Sequence, residues 1–183
     1  MKSINELTLA LWMESFGNGS RVGGIRAANG TANSNGVHKE NTTVDTVEKN
    51  KRIARRWLEL VSQHRIDELC ALTAPTWTMR GGPPNLPAGP EGIRTLFGTF
   101  GSIDQTWRIE DVIAEGDKVV VRATNTVVQD SFFGIDGRGK QQIFTATFIH
   151  RIADGLVQET HRNADDLGRL LQLGARLVPG TSA

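Results

Sequence analysis

VQETHRNADDLGRLLQLG, residues 157–174, passes directly from a strand pattern to a helix pattern. Residues two apart share one face of a strand, so the first half of this stretch predicts a face that is almost entirely polar. The residues with this spacing are Val157, Glu159, His161, Asn163 and Asp165. Leucines at helical spacing follow, and Gly174 ends the pattern. Such a face is typical either of a solvent-facing strand or of the wall of a binding site, and the pattern leaves both interpretations open.

Upstream of this stretch, the sequence predicts helices first and then a sheet. Apolar residues recur at helical spacing in residues 45–64, 68–73 and 91–100. Strands are predicted at residues 76–80, 105–115, 118–129 and 142–152. Helices on one side of an antiparallel sheet define an α+β domain. We therefore predict a cone-shaped barrel made of a strongly curved antiparallel sheet, covered by about three N-terminal helices. A short C-terminal helix completes it, and the open end of the cone is a natural pocket.

The two ends of the chain differ in composition from this core. Residues 1–40 combine a short amphipathic pattern with a Gly- and Asn-rich run, which buries too little apolar area to offset its ordering entropy. We predict an N-terminal extension over residues 1–40, a cone domain over residues 41–178 and a tail over residues 179–183.

Composition narrows the classes of function. The net charge is +1 with scattered Lys and Arg, so we expect no nucleic-acid partner. No apolar run is long enough for a membrane span, and no secretion signal is evident, so we expect a cytoplasmic protein. The single Cys70 excludes an internal disulfide and a cysteine-based metal site. Neither a nucleophile constellation nor a phosphate-binding Gly loop is present.

Three long stretches carry a resemblance to a known family. They are GPEGIRTLFGTFGSIDQTWRIEDVIAEGDKVVVRATNT, FFGIDGRGKQQIFTATFIHRIADGLVQE and DDLGRLLQLG. Together they closely resemble the SnoaL-like polyketide cyclase or ester cyclase family of the nuclear transport factor two-like superfamily, whose members are cone-shaped α+β domains. The resemblance covers about residues 47–174 and does not involve residues 1–40.

The resemblance implies a pocket on the concave face of the sheet, and catalysis by an Asp near the end of the last strand. In these cyclases that Asp acts as general acid and base in aldol-type ring closure, without a metal, Schiff base or other cofactor. Asp165 matches this Asp, and Glu159 matches the family's Glu. Three positions depart from the pattern, because His161 replaces an aromatic residue, Phe148 replaces an Asp and His150 replaces a Tyr.

A second branch of the superfamily resembles limonene epoxide hydrolase, which places an Arg between two Asp. The corresponding positions here are Arg122, Thr124 and Asn163. Because two of the three residue types differ, the sequence does not favour that chemistry in its known form.

The candidate residues each have a structural alternative. A carboxyl in a partly apolar pocket suits proton transfer, but Asp165 or Asp166 would equally cap the helix that follows. The imidazole of His161 could transfer a proton or orient a substrate carbonyl, and His161 shares its strand face with Asn163. His150 lies across the hairpin, and pairing of these side chains as metal ligands is not favoured. The aromatic residues expected either to line the cone or to fill it are Trp77, Trp107 and Phe148.

Arg122 and Thr124 share a face of the long strand at residues 118–129. Inside the cone, Arg122 would hold a substrate carboxylate or enolate, whereas on the outer face it would do nothing.

We expect an enzyme that transfers protons on an apolar, carbonyl-bearing molecule of polyketide or terpenoid type. Asp165 would be the acid and base, His161 and Asn163 its partners, and His150 and Arg122 would orient the substrate. Cyclisation or isomerisation comes first, and epoxide or ester hydrolysis second. The alternative class is a non-catalytic module for small-molecule binding or dimerisation. A homodimer is expected through the outer face of the sheet.

Overall fold

The computed structural model describes residues 36–178. Its helices are α1 (Gly36–Ser62), α2 (Ile66–Ala71), α3 (Pro90–Gly98) and α4 (Asp166–Gln172). Its strands are β1 (Thr73–Arg80), β2 (Ile103–Glu115), β3 (Lys118–Gln129), β4 (Ser131–Phe132), β5 (Ile135–Asp136), β6 (Gln142–Ala153) and β7 (Leu156–Ala164). The predicted α+β class is confirmed, with helices on one side of the main sheet.

The main sheet has five strands in the order β1-β7-β6-β3-β2. The long strands pair antiparallel through hairpins, but β1 pairs parallel to β7. The sheet is therefore mixed, and the prediction of an antiparallel sheet is wrong for β1. The reason is connectivity, since β1 reaches β7 through most of the chain rather than through a tight turn. Within residues 36–178 the sheet stays open, with β1 and β2 at its edges.

Helix α1 begins earlier than predicted. It starts at Gly36, inside the segment assigned to the linker, rather than at residue 45. Once a helix is nucleated, each further residue adds one hydrogen bond at small cost, so a weak sequence can extend a strong one. The amphipathic pattern of the first residues and the tail at 179–183 lie outside the described residues. The proposed domain limits stay predictions.

A β-bulge in β7 decides which side chains of this strand meet the helices. Ile152 of β6 pairs with Val157, but its neighbour Arg151 pairs with Glu159, so Gln158 is an extra residue. An extra residue reverses the alternation of side chains beyond it.

The consequence is visible in the burial of β7. Val157 is fully buried, and beyond the bulge Thr160 is buried at 2% exposure, with Arg162 on the same side. Glu159, His161 and Asn163 do share one face, as their spacing predicts. That face is the outer one.

The core forms where α1 packs against the concave face of the sheet. Helix α1 contributes residues at helical spacing, and β3 and β6 contribute alternate residues. The buried residues on these three elements include Ala54, Trp57, Leu58, Val119, Val121, Phe144 and Phe148. Together they hold the helices over the sheet and leave space between them.

Helix α4 is anchored at its start by Asp165. The Asp165 carboxylate accepts a hydrogen bond of 2.8 Å from the backbone N–H of Gly168, which satisfies one donor of the first turn. A Cβ at Gly168 would lie 2.1 Å from this carboxylate, so a larger residue here would displace the Asp165 side chain from its capping position. The cap fixes where α4 begins and therefore where its first-turn side chains point.

Replacing Asp165 with alanine removes this cap. We expect the free energy of unfolding to fall by about 1 kcal/mol, the usual effect of losing a helix N-cap. Asp165→Asn keeps an acceptor oxygen and should retain nearly all of the stability. Urea unfolding followed by circular dichroism measures both variants. An asparagine variant as unstable as the alanine variant would contradict the capping role.

Candidate active site

A cavity of about 430 Å³ lies between the helices and the concave face of the sheet. This volume is within the range of small-molecule sites. Most of its wall is aromatic or aliphatic, and its large aromatic side chains include Trp57, Trp77, Phe97, Trp107, Phe144 and Phe148. Three of the residues expected to contact a substrate, Trp77, Trp107 and Phe148, therefore lie in the wall, and space remains between them.

Asp166 is the carboxylate in the cavity wall. Arg162 holds it in a two-pronged ion pair, with Nη1 2.8 Å from Oδ2 and Nη2 2.7 Å from Oδ1. Both side chains are largely buried, at 17% and 14% exposure. Because the guanidinium is planar and its two nitrogens match the two carboxylate oxygens, this pair has one well-defined geometry.

The rim loop reinforces this geometry. Arg162 Nη1 also donates to the carbonyl of Gly81 at 3.3 Å. Gly81 has a φ of 74°, and a Cβ there would lie 2.0 Å from the Arg162 carbonyl oxygen. Only glycine permits this close approach of loop and strand. The mouth of the cavity is thus built from β7 and the loop after β1 as one unit.

Arg169 is a second cation in the wall, and it is 5% exposed. Its Nε donates to Gln142 Oε1 at 3.1 Å and its Nη2 to Gln129 Oε1 at 2.5 Å. The guanidinium carbon lies 3.7 Å from the centre of the Phe132 ring. Burial lowers the pKa of Arg169 to about 10, so it stays charged at neutral pH.

Two buried amides form a further polar patch in the wall. Gln105 Oε1 accepts from Trp107 Nε1 at 3.2 Å and from Asn125 Nδ2 at 3.1 Å. An indole N–H can only donate, so the Gln105 side-chain oxygen must face Trp107. The same oxygen faces Asn125, so the Asn125 group directed at Gln105 must be its NH₂. Gln105 Nε2 and Asn125 Oδ1 then remain buried without partners in the described part of the chain. One donor and one acceptor are therefore left unsatisfied in an apolar wall.

His150 lies behind the wall. It is fully buried, and its Nδ1 is 3.1 Å from Thr160 Oγ1, which also accepts from Trp77 Nε1 at 3.0 Å. Its ring lies parallel to that of Phe148, 6.1 Å away. Burial lowers the pKa of His150 from 6.5 to about 4, so the imidazole is neutral. It orients Thr160, which does line the cavity, and has no direct place in the wall.

Asp165 and Asp166 exchange the roles expected from the sequence. The expected acid and base, Asp165, is exposed and caps α4, and it does not line the cavity. Its neighbour Asp166, expected as the alternative cap, lies in the wall. Asp165 and Asp166 differ by one position at the junction between β7 and α4, and this difference places only Asp166 in the wall.

The proposed partners of Asp165 lie on the outer face, because of the bulge in β7. His161 Nε2 is 3.0 Å from Glu159 Oε1, and the His161 side chain is 43% exposed. Asn163 is also exposed. Arg80 approaches the same Glu159 oxygen at 3.4 Å, so this cluster is a surface charge network.

Arg122 and Thr124 also point away from the cavity. Arg122 forms an ion pair with Asp111 at 2.6 Å, and Thr124 donates to Glu110 at 2.8 Å. The inward residues of β3 are the alternate ones, which include Asn125. The residues that would correspond to an epoxide hydrolase site, Arg122, Thr124 and Asn163, are therefore not assembled at the cavity.

Six residues of the wall with amide, carboxylate or guanidinium side chains were not assigned to the site from the sequence. They are Gln105, Asn125, Gln129, Arg162, Asp166 and Arg169. The spacing of Arg162 and Asp166, four residues apart across a strand–helix junction, was the available signal, and it depends on knowing where the bulge falls.

The described residues contain neither a cluster of metal ligands nor a helix that could span a membrane. Among residues 36–178, no group of three or more His, Cys, Asp or Glu side chains is arranged to hold a metal ion. No described helix has the length and apolar character needed to span a membrane.

The fold and its cavity define a small α+β cone domain with a largely apolar pocket between helices and sheet. Residues 54–160 match the model of the SnoaL-like domain, which is more than half of the chain, and the chain belongs to this family. No functionally curated protein matches it.

Solved structures show the same fold. TsrD from Streptomyces laurentii is 26% identical with a TM-score of 0.59, over 70% of this chain and 97% of that one. A proposed polyketide cyclase from Xanthomonas campestris pv. campestris is 15% identical with a TM-score of 0.64, over 70% of this chain and 98% of that one. An LEH-like epoxide hydrolase from M. tuberculosis is also 15% identical, with a TM-score of 0.58, over 70% and 91%. At 15% identity these last two show the fold alone.

Burial of a neutral imidazole makes stability depend on pH. The pKa of His150 is 6.5 in the unfolded chain and about 4 in the folded one. Between these values the unfolded state binds more protons, so stability is complete above about pH 6.5 and falls as the pH drops toward 4. We expect this effect to lower the free energy of unfolding of the parent protein by about 3 kcal/mol, and we expect the His150→Gln variant to lack that loss. Urea unfolding across this pH range measures both proteins.

The matched control is His64→Asn. His64 is exposed, and its backbone φ of 55° is one that asparagine tolerates. The control should lose stability on acidification as the parent protein does. A His150→Gln protein with the parent's pH dependence would show that another group is responsible.

Proposed function

We propose that this protein is an enzyme that transfers protons on an apolar, carbonyl-bearing small molecule, with Asp166 as the general base and acid. Cyclisation or isomerisation of a polyketide- or terpenoid-like substrate is the reaction that fits best. Membership of the SnoaL-like family supports this proposal. Here the role assigned to Asp165 from the sequence passes to its neighbour.

The observation that carries the proposal is the setting of Asp166. Of the residues that line the cavity, it is the one with a carboxylate, and its surroundings are mostly apolar. In such a setting few water molecules compete with the substrate for the base. The ion pair with Arg162 holds the carboxylate in place, which favours a fixed approach to the reacting carbon.

The amide groups of Gln105 and Asn125 are polar groups that could bind the polar part of the substrate. Abstraction of a proton next to a carbonyl moves negative charge to the carbonyl oxygen. Gln105 Nε2 is a donor without a partner in the described structure, and Asn125 Oδ1 is an acceptor in the same state. Both atoms are buried, so a substrate oxygen and a hydroxyl or N–H would satisfy them after the two side chains turn toward the cavity, and such hydrogen bonds would favour the enolate or enol form.

A non-catalytic carrier is the second candidate, and one observation favours it. Both oxygens of Asp166 already accept from Arg162. A carboxylate occupied in this way is a weaker base than a free one. In a carrier, the pair would only shape the mouth of the cavity.

The elimination reaction of a nitrobenzisoxazole separates these two functions. A base takes the ring C–H proton, the N–O bond breaks, and a cyano-nitrophenolate is released, which is measured by absorbance. The parent protein should accelerate this reaction above the rate with an equal concentration of acetate. Asp166→Asn should lower that rate by about 100-fold, the usual contribution of a general base.

The matched control is Asp165→Asn, one residue away and outside the cavity. It should keep the parent's rate, because asparagine also caps the helix. Melting curves of both variants show whether each is folded. An Asp166→Asn rate equal to the parent's would remove Asp166 from catalysis, and a parent rate equal to that of acetate would favour the carrier.

A homodimer, formed through the outer face of the sheet, is proposed as well, in a cytoplasmic protein. The expected mass is twice that of the 20.0 kDa chain. Light scattering at micromolar concentration measures it, and a mass of one chain would contradict the dimer.

A further inference from the structure

Arg169 is a buried cation that forms no ion pair in the described part of the chain, although Asp166 stabilises its charge from a longer distance. Its side chain is enclosed between α4, the ends of β3 and β6, and the Phe132 ring, and 5% of the residue is exposed. Within residues 36–178, no carboxylate lies within ion-pair distance of it. A charge removed from water is costly unless an opposite charge or a full set of hydrogen bonds compensates it.

The partners that Arg169 does have are neutral. Two of its N–H groups donate to glutamine side chains, at Gln142 and Gln129, and the face of the guanidinium lies on Phe132. A guanidinium carries five N–H groups, so three remain. In the described part of the chain, Nη1 makes no hydrogen bond, and it is not among the buried atoms without a partner. This edge of Arg169 is therefore the accessible one.

The charges of the cavity wall do not balance. The charged residues that line the cavity are Arg162, Asp166 and Arg169. Asp166 is bound by Arg162 through both oxygens, which neutralises that pair. One positive charge is left in the wall, on Arg169, and glutamines hold it in a fixed orientation. A fixed guanidinium with an open edge matches an oxyanion with two oxygens.

We propose that Arg169 binds an anionic oxygen group of the ligand, so that the substrate is an apolar acid whose carboxylate lies on the guanidinium while its carbon skeleton fills the aromatic part of the cavity. Arg169 would thus define the substrate class of the proposed function, on which this inference rests for the chemistry. Binding of a ligand at Arg169 is independent of turnover. The cavity of about 430 Å³ has room for two or three fused rings with one charged group.

A pair of fluorescent probes tests the proposal without knowledge of the substrate. Anilinonaphthalene sulfonate and phenylnaphthylamine share one apolar skeleton, and only the first carries an anionic group. We expect the parent protein to bind the sulfonate at least tenfold more tightly than the neutral probe, since a charge-assisted pair in a buried site has about that effect or more. Equal affinities for the two probes would overturn the proposal, whatever the variants do.

Substitution of Arg169 then assigns the effect to this residue. Arg169→Gln should weaken sulfonate binding at least tenfold and leave phenylnaphthylamine binding within about twofold, because the aromatic wall is unchanged. Arg169→Lys should recover part of the sulfonate affinity. The control is Arg138→Gln, whose side chain is 85% exposed, and it should change neither affinity.

The outcomes separate a binding role from a structural one. Equal loss of both probes in Arg169→Gln would mean that Arg169 only supports the wall, and no loss of either would mean that the sulfonate binds elsewhere. Each result contradicts the proposal. Elimination activity with no preference for the sulfonate would refute the anion site alone, whereas a preference without elimination activity would refute the catalytic function alone.

Discussion

One extra residue in β7 determines the character of the cavity. Gln158 has no partner of its own in the ladder between β6 and β7, and beyond it each side chain lies on the face opposite to that given by simple alternation. Arg162 is brought inward as a result, and His161 and Asn163 are left outside. The inward cation then holds Asp166, which makes a carboxylate stable in a wall of aromatic rings. The chemistry of the site therefore depends on a backbone feature more than on any catalytic residue.

Adjacent aspartates acquire different functions through position alone. Asp165 accepts a backbone N–H and is exposed, whereas Asp166 forms a buried ion pair. The cap sets the first turn of α4, and that turn places both Asp166 and Arg169 at the cavity. Helix α4 thus contributes a negative charge, on Asp166, and a positive charge, on Arg169, to the wall. Strand β7 contributes Arg162, which neutralises Asp166. The remaining charge distinguishes this site from a purely apolar pocket.

The sequence predicted much of the fold and little of the site, for physical reasons. The pattern of residues 118–129 gave β3 its observed limits, because a run of β-branched residues between two turns has few alternatives. The same run could not show on which face of the sheet Arg122 lies, since valines occupy both faces of β3. The bulge at Gln158 leaves no trace in composition, so Glu159, His161 and Asn163 could be grouped correctly and still be assigned to the wrong side. The parallel pairing of β1 depends on contacts between distant segments, which local patterns do not record.

The hydrogen bond from Trp77 to Thr160 joins residues 83 positions apart, and it closes one side of the cavity. Strand β1 can pair only with β7, the last strand to be synthesised. The side of the cavity that β1 and β7 form can therefore be completed only when both ends of the domain are present. Long-range pairing of this kind slows folding, and exposed apolar surface promotes association with other chains. The pairing that closes one side of the cavity is therefore also one that we expect to slow the folding of the domain.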